Sequence, residues 1–183
     1  MGRNFIEIRD NLLTKKECTE AIQWVLSNKN IIQDPNKPNS GYDYCDLMGK
    51  GKTFGDSFSP APLRPVANAI LDLKESYQRK YPEVENIHDW DVDFIRFKYW
   101  KSGEYYNTWH SEHGPHKYSH RVLSFLLCLS DNNSYTEFKR HRNVRTKAGR
   151  GIIFPAYHTH EHRGSVCKKG LDRFMVGGYF SFV

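Results

Sequence analysis

At 183 residues, with 38% hydrophobic and 14% aromatic content, the chain has the size of one globular domain and needs no disulfide or metal staple to fold. It contains no run of about 18 or more apolar residues, which excludes a membrane-spanning helix of ordinary kind, and Met1 to Asp10 lacks the apolar stretch of a secretory signal. The formal net charge of +6 suits an anionic partner or plain solubility equally well.

Ile6 stands where N-myristoylation at Gly2 would want Ser or Thr. Phe5 to Ile8 forms a short apolar entry strand. Thr14-Lys15-Lys16-Glu17 then reads as a capping box. Cys18, Ala21, Ile22, Val25 and Leu26 follow at helical spacing, predicting an amphipathic helix that ends near Ser27. Residues 28–60 are rich in Asn, Asp, Gly, Pro and Ser and predict a long loop. Its length makes it a candidate lid or substrate wall, with Tyr42, Tyr44 and Phe54 as the side chains to watch. Val66, Ala69, Ile70, Leu73 and Tyr77 predict a second helix, closing before Pro82.

Near residue 90 the period changes from helical to two. Strands are predicted at Val92–Tyr99, Tyr105–His110, Arg121–Leu129, Thr136–Phe138, Val144–Thr146, Gly151–Phe154, His158–Gly164 and Arg173–Val183. Lys147-Ala148-Gly149-Arg150 is expected to close a hairpin between the fifth and sixth of these. About eight short strands argue a double-stranded β-helix, or jelly roll. The expected class is mainly β with flanking helices: a single domain over 1–183, with 1–89 as helical and loop support and 90–183 as the jelly-roll core. The basic cluster Lys139-Arg140-His141-Arg142 falls on a strand connection. Cys18, Cys45, Cys128 and Cys167 form no C-x-x-C pair and read as reduced, structural thiols of a cytoplasmic protein.

The chemistry is expected in Trp109-His110-Ser111-Glu112-His113-Gly114. On a strand, residues two apart share a face, so His110 and Glu112 can enter one pocket. The same rule puts His158, His160 and His162 on one face of a later strand. Two histidines and one carboxylate on neighbouring strands make a facial triad that suits iron(II) and leaves coordination positions open. Arg173, on the strand after, can fork onto a carboxylate. Structural zinc usually recruits cysteine, and no cysteine is at ligand spacing here. A jelly-roll binding module with no reaction is the other reading.

The stretch from Asp91 to Val183 resembles the prolyl 4-hydroxylase-like branch of the iron(II)/2-oxoglutarate dioxygenases, especially compact phage and microbial members. Phe97-Lys98-Tyr99 with Gly103-Glu104-Tyr105 is similar to the family's lead-in. Then come His110-x-Glu112, the strand Arg121 to Asp131, Thr136-Glu137-Phe138, Lys147 to Pro155 and His162-Arg163-Gly164, in family order. The resemblance implies iron ligation by His110, Glu112 and His162, with His162 preferred to His160 because Arg163-Gly164 follows it. It implies Arg173 on the 2-oxoglutarate C5 carboxylate, with Tyr99 beside it. It further implies iron(II), 2-oxoglutarate and oxygen as the reacting set, with ascorbate admitted as an accessory, and hydroxylation of a peptide or small molecule with release of succinate and carbon dioxide. A nucleic-acid substrate is not expected, since no aromatic sandwich for a flipped base is evident. Three departures stand out. The acid is Glu where most members carry Asp. Arg173 lies one position further from the distal histidine than is usual. Ser134-Tyr135 replaces a Gly-Gly pair.

Overall fold

The computed structural model describes residues 3–37, 41–49, 51–86, 90–168 and 170–182. Among them are ten strands in two antiparallel sheets and three α-helices. The strands are β1 (Glu7–Arg9), β2 (Asp43–Met48), β3 (Trp90–Trp100), β4 (Tyr106–His110), β5 (Arg121–Cys128), β6 (Tyr135–Phe138), β7 (Val144–Arg145), β8 (Gly151–Pro155), β9 (His162–Gly164) and β10 (Arg173–Phe182). The major sheet runs β1-β8-β5-β10-β3-β2 and the minor sheet β4-β9-β6-β7.

The helices are α1 (Lys15–Asn28), α2 (Phe54–Ser57) and α3 (Arg64–Lys80). The start of α1 follows from the capping box. Thr14 Oγ1 accepts from the Glu17 amide at 3.2 Å, and Glu17 Oε2 accepts from the Thr14 amide at 2.8 Å. Cys18, Ala21 and Val25 of α1, with Val66, Ile70 and Leu73 of α3, pack on one face of the major sheet. Phe125 and Leu127 of β5, Phe97 of β3 and Val176 of β10 meet them there. Their chain neighbours Leu126, Cys128 and Met175 point the other way, into a second core between the sheets with Phe138 and Phe154. β5 is therefore buried on both faces, which is why its sequence from Val122 is apolar apart from Ser124.

Two expectations give way to a different architecture. Residues 28–60 are not a free loop, because β2 extends the major sheet alongside β3 and Ile32 bridges to Tyr44. Lys37 fastens this segment with ion pairs of 2.7 Å to Asp43 and 2.8 Å to Glu104. With β1, this means the first 89 residues supply both edges of the major sheet. Nor do β7 and β8 form a hairpin. β7 pairs with β6 in the minor sheet, whereas β8 pairs with β1 and β5 in the major one. The turn between them carries the chain from one sheet to the other. Gly149 makes the crossing at φ 76°, where a side chain would collide with the Leu13 carbonyl.

All four cysteines are buried and unpaired, and burial pushes the thiols of Cys18, Cys45 and Cys167 up to about 11. Lys139 to Asn143 form the β6–β7 connection, where Lys139 pairs with Glu161 at 2.9 Å. Among the described residues, no helix is long and apolar enough to cross a membrane.

Candidate metal centre

The two sheets open toward each other at one end, and His110, Glu112 and His162 converge there. Their ligand atoms all lie within 4.8 Å of one another. β4 ends at His110, which faces His162 directly across the β4–β9 pairing. Glu112 lies beyond the strand, so its place is not set by strand alternation. Its amide donates to the Ala156 carbonyl at 2.9 Å, at the end of β8, and this hangs it from the major sheet. Glu112 Oε1 sits 3.6 Å from His110 Nε2 and 3.7 Å from His162 Nε2. Those gaps are too long for good hydrogen bonds, and they match the spacing of donors that would each bond one shared cation at roughly 2 Å.

The supporting contacts prepare each donor. His110 Nδ1 lies 2.9 Å from the Thr108 carbonyl, and His162 Nδ1 lies 3.1 Å from the His160 carbonyl. An Nδ1–H on each ring leaves the Nε2 lone pair facing the centre. Burial lowers the His162 pKa, which favours the neutral, ligating form. Burial also works against the Glu112 charge, but in the metal-free protein the His110 and His162 rings, when they turn an N–H instead of a lone pair toward it, and the Lys98 charge outweigh this and hold the carboxyl well below its usual range. While Oε1 faces the histidines, Oε2 accepts from the Tyr179 hydroxyl at 2.8 Å. Burial and the neighbouring Glu112 charge push that hydroxyl well above its normal pKa, so it stays a donor. Arg121 lies 3.6 Å over the Tyr179 ring and donates to the Glu112 carbonyl at 3.1 Å.

Arg173 lies in the same cavity of about 100 Å³, which Trp100, Tyr106, Thr136 and Met175 help to line. It is 2% exposed, and its Nε has no partner among the described residues. Thr136 Oγ1 is 3.4 Å from Nη2, and the guanidinium lies 5.0 Å from the Trp100 ring. Burial without a facing carboxylate lowers its pKa. A buried guanidinium with an orphaned donor, aimed into a cavity beside three metal-type donors, is the complement of a chelating anion.

The alternative distal ligand, His160, and one expected site residue, Tyr99, fall elsewhere. Residues 158–160 form a single 3₁₀ turn, and the strand starts only at His162. The shared face expected for the three histidines is therefore broken. His160 turns away to the Asn4 carbonyl at 2.9 Å and stacks on His141. Tyr99 is on the opposite face of β3 from the cavity: its hydroxyl donates to Asp172 at 2.8 Å and its ring stacks on Phe174. Strand alternation gives the reason, since Phe97 and Tyr99 face the helices and Lys98 and Trp100 face the cavity. Of the expected lid residues, Tyr42 reaches the cavity, Tyr44 lies under Arg96 and Phe54 packs on Phe58. Lys98, Trp100, Tyr106, Thr136 and Tyr179 also line the cavity. A period-two reading of β3 and β10 with the apolar partners assigned to the helix side would have pointed to Lys98, Trp100 and Tyr179, which were not singled out from the sequence.

No family model matches the sequence, and no curated protein matches it. Solved structures do match the fold. The viral collagen prolyl hydroxylase of Paramecium bursaria Chlorella virus-1, solved with 2-oxoglutarate, superposes with a TM-score of 0.70 at 15% identity, over 98% of this chain and 97% of that one. A Pseudomonas putida prolyl-4-hydroxylase gives 0.68 at 12% identity, over 98% and 94%. A Trichoplax adhaerens prolyl hydroxylase, in complex with a hypoxia inducible factor peptide fragment, gives 0.63 at 13%, over 97% and 84%. The chain thus has the double-stranded β-helix fold of the 2-oxoglutarate oxygenases. A 2-oxoglutarate-dependent epimerase of nogalamycin biosynthesis matches the same fold at a TM-score of 0.63 and 13% identity, over 98% of this chain and 78% of that one.

Proposed function

We infer that the protein is an iron(II)- and 2-oxoglutarate-dependent oxygenase that hydroxylates a C–H bond. The observation that carries this reading is Arg173, buried without a counter-anion among the described residues in the cavity that holds His110, Glu112 and His162. Iron would be held by His110 Nε2, Glu112 Oε1 and His162 Nε2, a set of three that leaves further coordination positions free. The Arg173 guanidinium would fork onto the distal carboxylate of the ketodiacid, with Thr136 beside it. When bound together, iron(II) and 2-oxoglutarate supply the oxidising chemistry, in which dioxygen gives one oxygen atom to succinate as carbon dioxide leaves and the other to the substrate.

The chain's own work is placement. Tyr179 and Arg121 fix the longer Glu carboxylate so that one oxygen faces the ion. The two carbonyls behind His110 and His162 keep the imidazoles neutral toward it. Trp100, Leu126 and Met175 give the cavity an apolar wall that excludes water from the reacting centre. A prolyl-like peptide or a small molecule is the substrate class of this reading, with Tyr42 at the cavity wall. The four unpaired thiols fit a reducing, cytoplasmic setting, and ascorbate would be an accessory reductant.

The test is succinate formation from 2-oxoglutarate by protein loaded anaerobically with iron(II) and then exposed to air. The wild type should form succinate, and Glu112→Ala should not. Tight zinc retention with no 2-oxoglutarate binding would overturn the proposal.

A further inference from the structure

Lys98 lines the cavity and has no role in the assignment above. Strand alternation turns it inward from β3, opposite Met175 of β10. Its ammonium sits against Gly177, which leaves room for it: a Cβ there would lie 3.3 Å from Nζ and 2.9 Å from Leu126 Cδ2. Its nearest described partner is the face of Tyr42, 5.2 Å from Nζ to the ring centroid. A ring face attracts a cation but does not neutralise it. Lys98 pairs with no carboxylate among the described residues, although its charge is felt at Glu112.

The charges in the cavity can be followed one by one. Arg163 also lines it but is paired with Glu137 at 2.7 Å and with Asn107 at 2.9 Å. A divalent ion, the Glu112 carboxylate, the two carboxylates of the ketodiacid and the Arg173 guanidinium together sum to zero, and Arg121, which meets Glu112 Oε2 at 3.5 Å from outside the cavity lining, adds a further positive charge rather than a counter-anion. Lys98 is then a cation in excess, half-buried and facing the same space. A half-enclosed ammonium in a low-dielectric cavity favours a single anionic guest.

We propose that Lys98 reads a carboxylate on the substrate that is hydroxylated, so that this carboxylate is held between the Lys98 ammonium and the Tyr42 ring. This rests on the oxygenase reading and narrows its substrate class. The carboxylate can belong to a free amino acid or to an acidic side chain in a peptide, and the probes below distinguish the two.

The experiment uses the full chain loaded with Mn(II) and N-oxalylglycine, an unreactive analogue of the ketodiacid. NMR line broadening by Mn(II) then reports which probes approach the ion. The probes are the free L-amino acids, their neutral amides, and the N-acetyl amides of Asp and Glu. We expect at least one carboxylate probe to be broadened and its neutral counterpart not. The effect should fall at least tenfold in Lys98→Met and in Lys98→Gln, and return in part in Lys98→Arg. N-oxalylglycine affinity should stay unchanged in these variants, and melting curves confirm that they fold. Equal broadening of carboxylates and amides overturns the proposal on the wild type alone, as does the absence of broadening for every carboxylate. A loss of N-oxalylglycine affinity in Lys98→Met with probe binding intact overturns it too, and assigns Lys98 to the co-substrate. Failure of the wild type to bind Mn(II) with N-oxalylglycine would instead sink the oxygenase reading itself.

Discussion

Replacing Arg173 by methionine separates two quantities that the wild-type protein couples: the stability of the unloaded fold and the affinity for the co-substrate. The guanidinium is buried, its Nε is unpartnered and its hydrogen bond to Thr136 is long at 3.4 Å. A buried donor left unsatisfied costs about 1–3 kcal/mol, and more when it is charged. Methionine keeps much of the stem volume and adds an apolar chain beside Trp100 and Met175. The unliganded variant should therefore be more stable by roughly 1–3 kcal/mol, at about 2–4 °C in melting temperature per kcal/mol for a chain of this size. The same change removes the charge-assisted bonds to the ketodiacid. Truncating one side of a buried charge pair costs about 2–5 kcal/mol, which raises Kd roughly 30-fold to several-thousand-fold. Thermal melting with and without Mn(II) and 2-oxoglutarate reads both effects. At about 100 times its Kd the ligand adds about 2.7 kcal/mol to the wild type, and at that concentration the variant should gain less than about 1 kcal/mol. A variant that starts lower than wild type and still shows the full ligand-induced rise would refute the reasoning.

The remaining predictions concern the metal donors and the β1 clamp. Tyr179→Phe leaves Glu112 Oε2 without its 2.8 Å donor and should weaken metal affinity by about 10- to 100-fold, as measured by chelator competition. His162→Ala should abolish metal binding in the same assay, whereas His160→Ala, which alters a side chain turned toward Asn4, should retain it. Asp10 is hydrogen-bonded through both oxygens to Arg150, and this bond with the nearby Lys147 holds its carboxyl down to about 2 from 3.8. A depressed carboxyl pKa contributes stability that is present above about 3.8 and lost as pH falls through about 2. Asp10→Asn should thus lower the unfolding free energy by about 0.5–1 kcal/mol near neutral pH, given solvent screening of this half-exposed pair. Urea titrations should find that difference gone near the acid limit.

Much of the fold was legible where local chemistry and global packing agree. Thr14 and Glu17 announce α1, and the apolar run Val122 to Cys128 announces a strand buried on both faces. β2 escaped notice because it follows a stretch of Asn, Pro and Gly and carries Asp43 and Asp46. Its strand character comes from pairing with β3, a partner some fifty residues away. Lys147 to Arg150 has the composition of a hairpin turn, yet β7 and β8 join different sheets. Turn chemistry shows that the chain bends, not which strand it meets next. At the site, His110, Glu112, His162 and Arg173 were the residues singled out, and they are the ones brought together. Glu112 arrived there for another reason than strand alternation, through its tether to Ala156. Tyr99 was displaced by one position of parity, which is enough on a strand to exchange core for cavity.

The donors around the centre belong to different layers. His110 and His162 stand on short strands of the minor sheet, and Glu112 hangs from the major one. Between β4 and β9 only Tyr106 with Gly164 and His110 with His162 stand in register. An ion shared by all three side chains would act as a rivet through both layers, at the place where backbone pairing is thinnest. Chelation would then leave β3, β5 and β10 intact while β4 and β9 breathe, and amide exchange would speed up there first. In such a molecule, acquiring the metal and finishing the wall that faces the guest are one event.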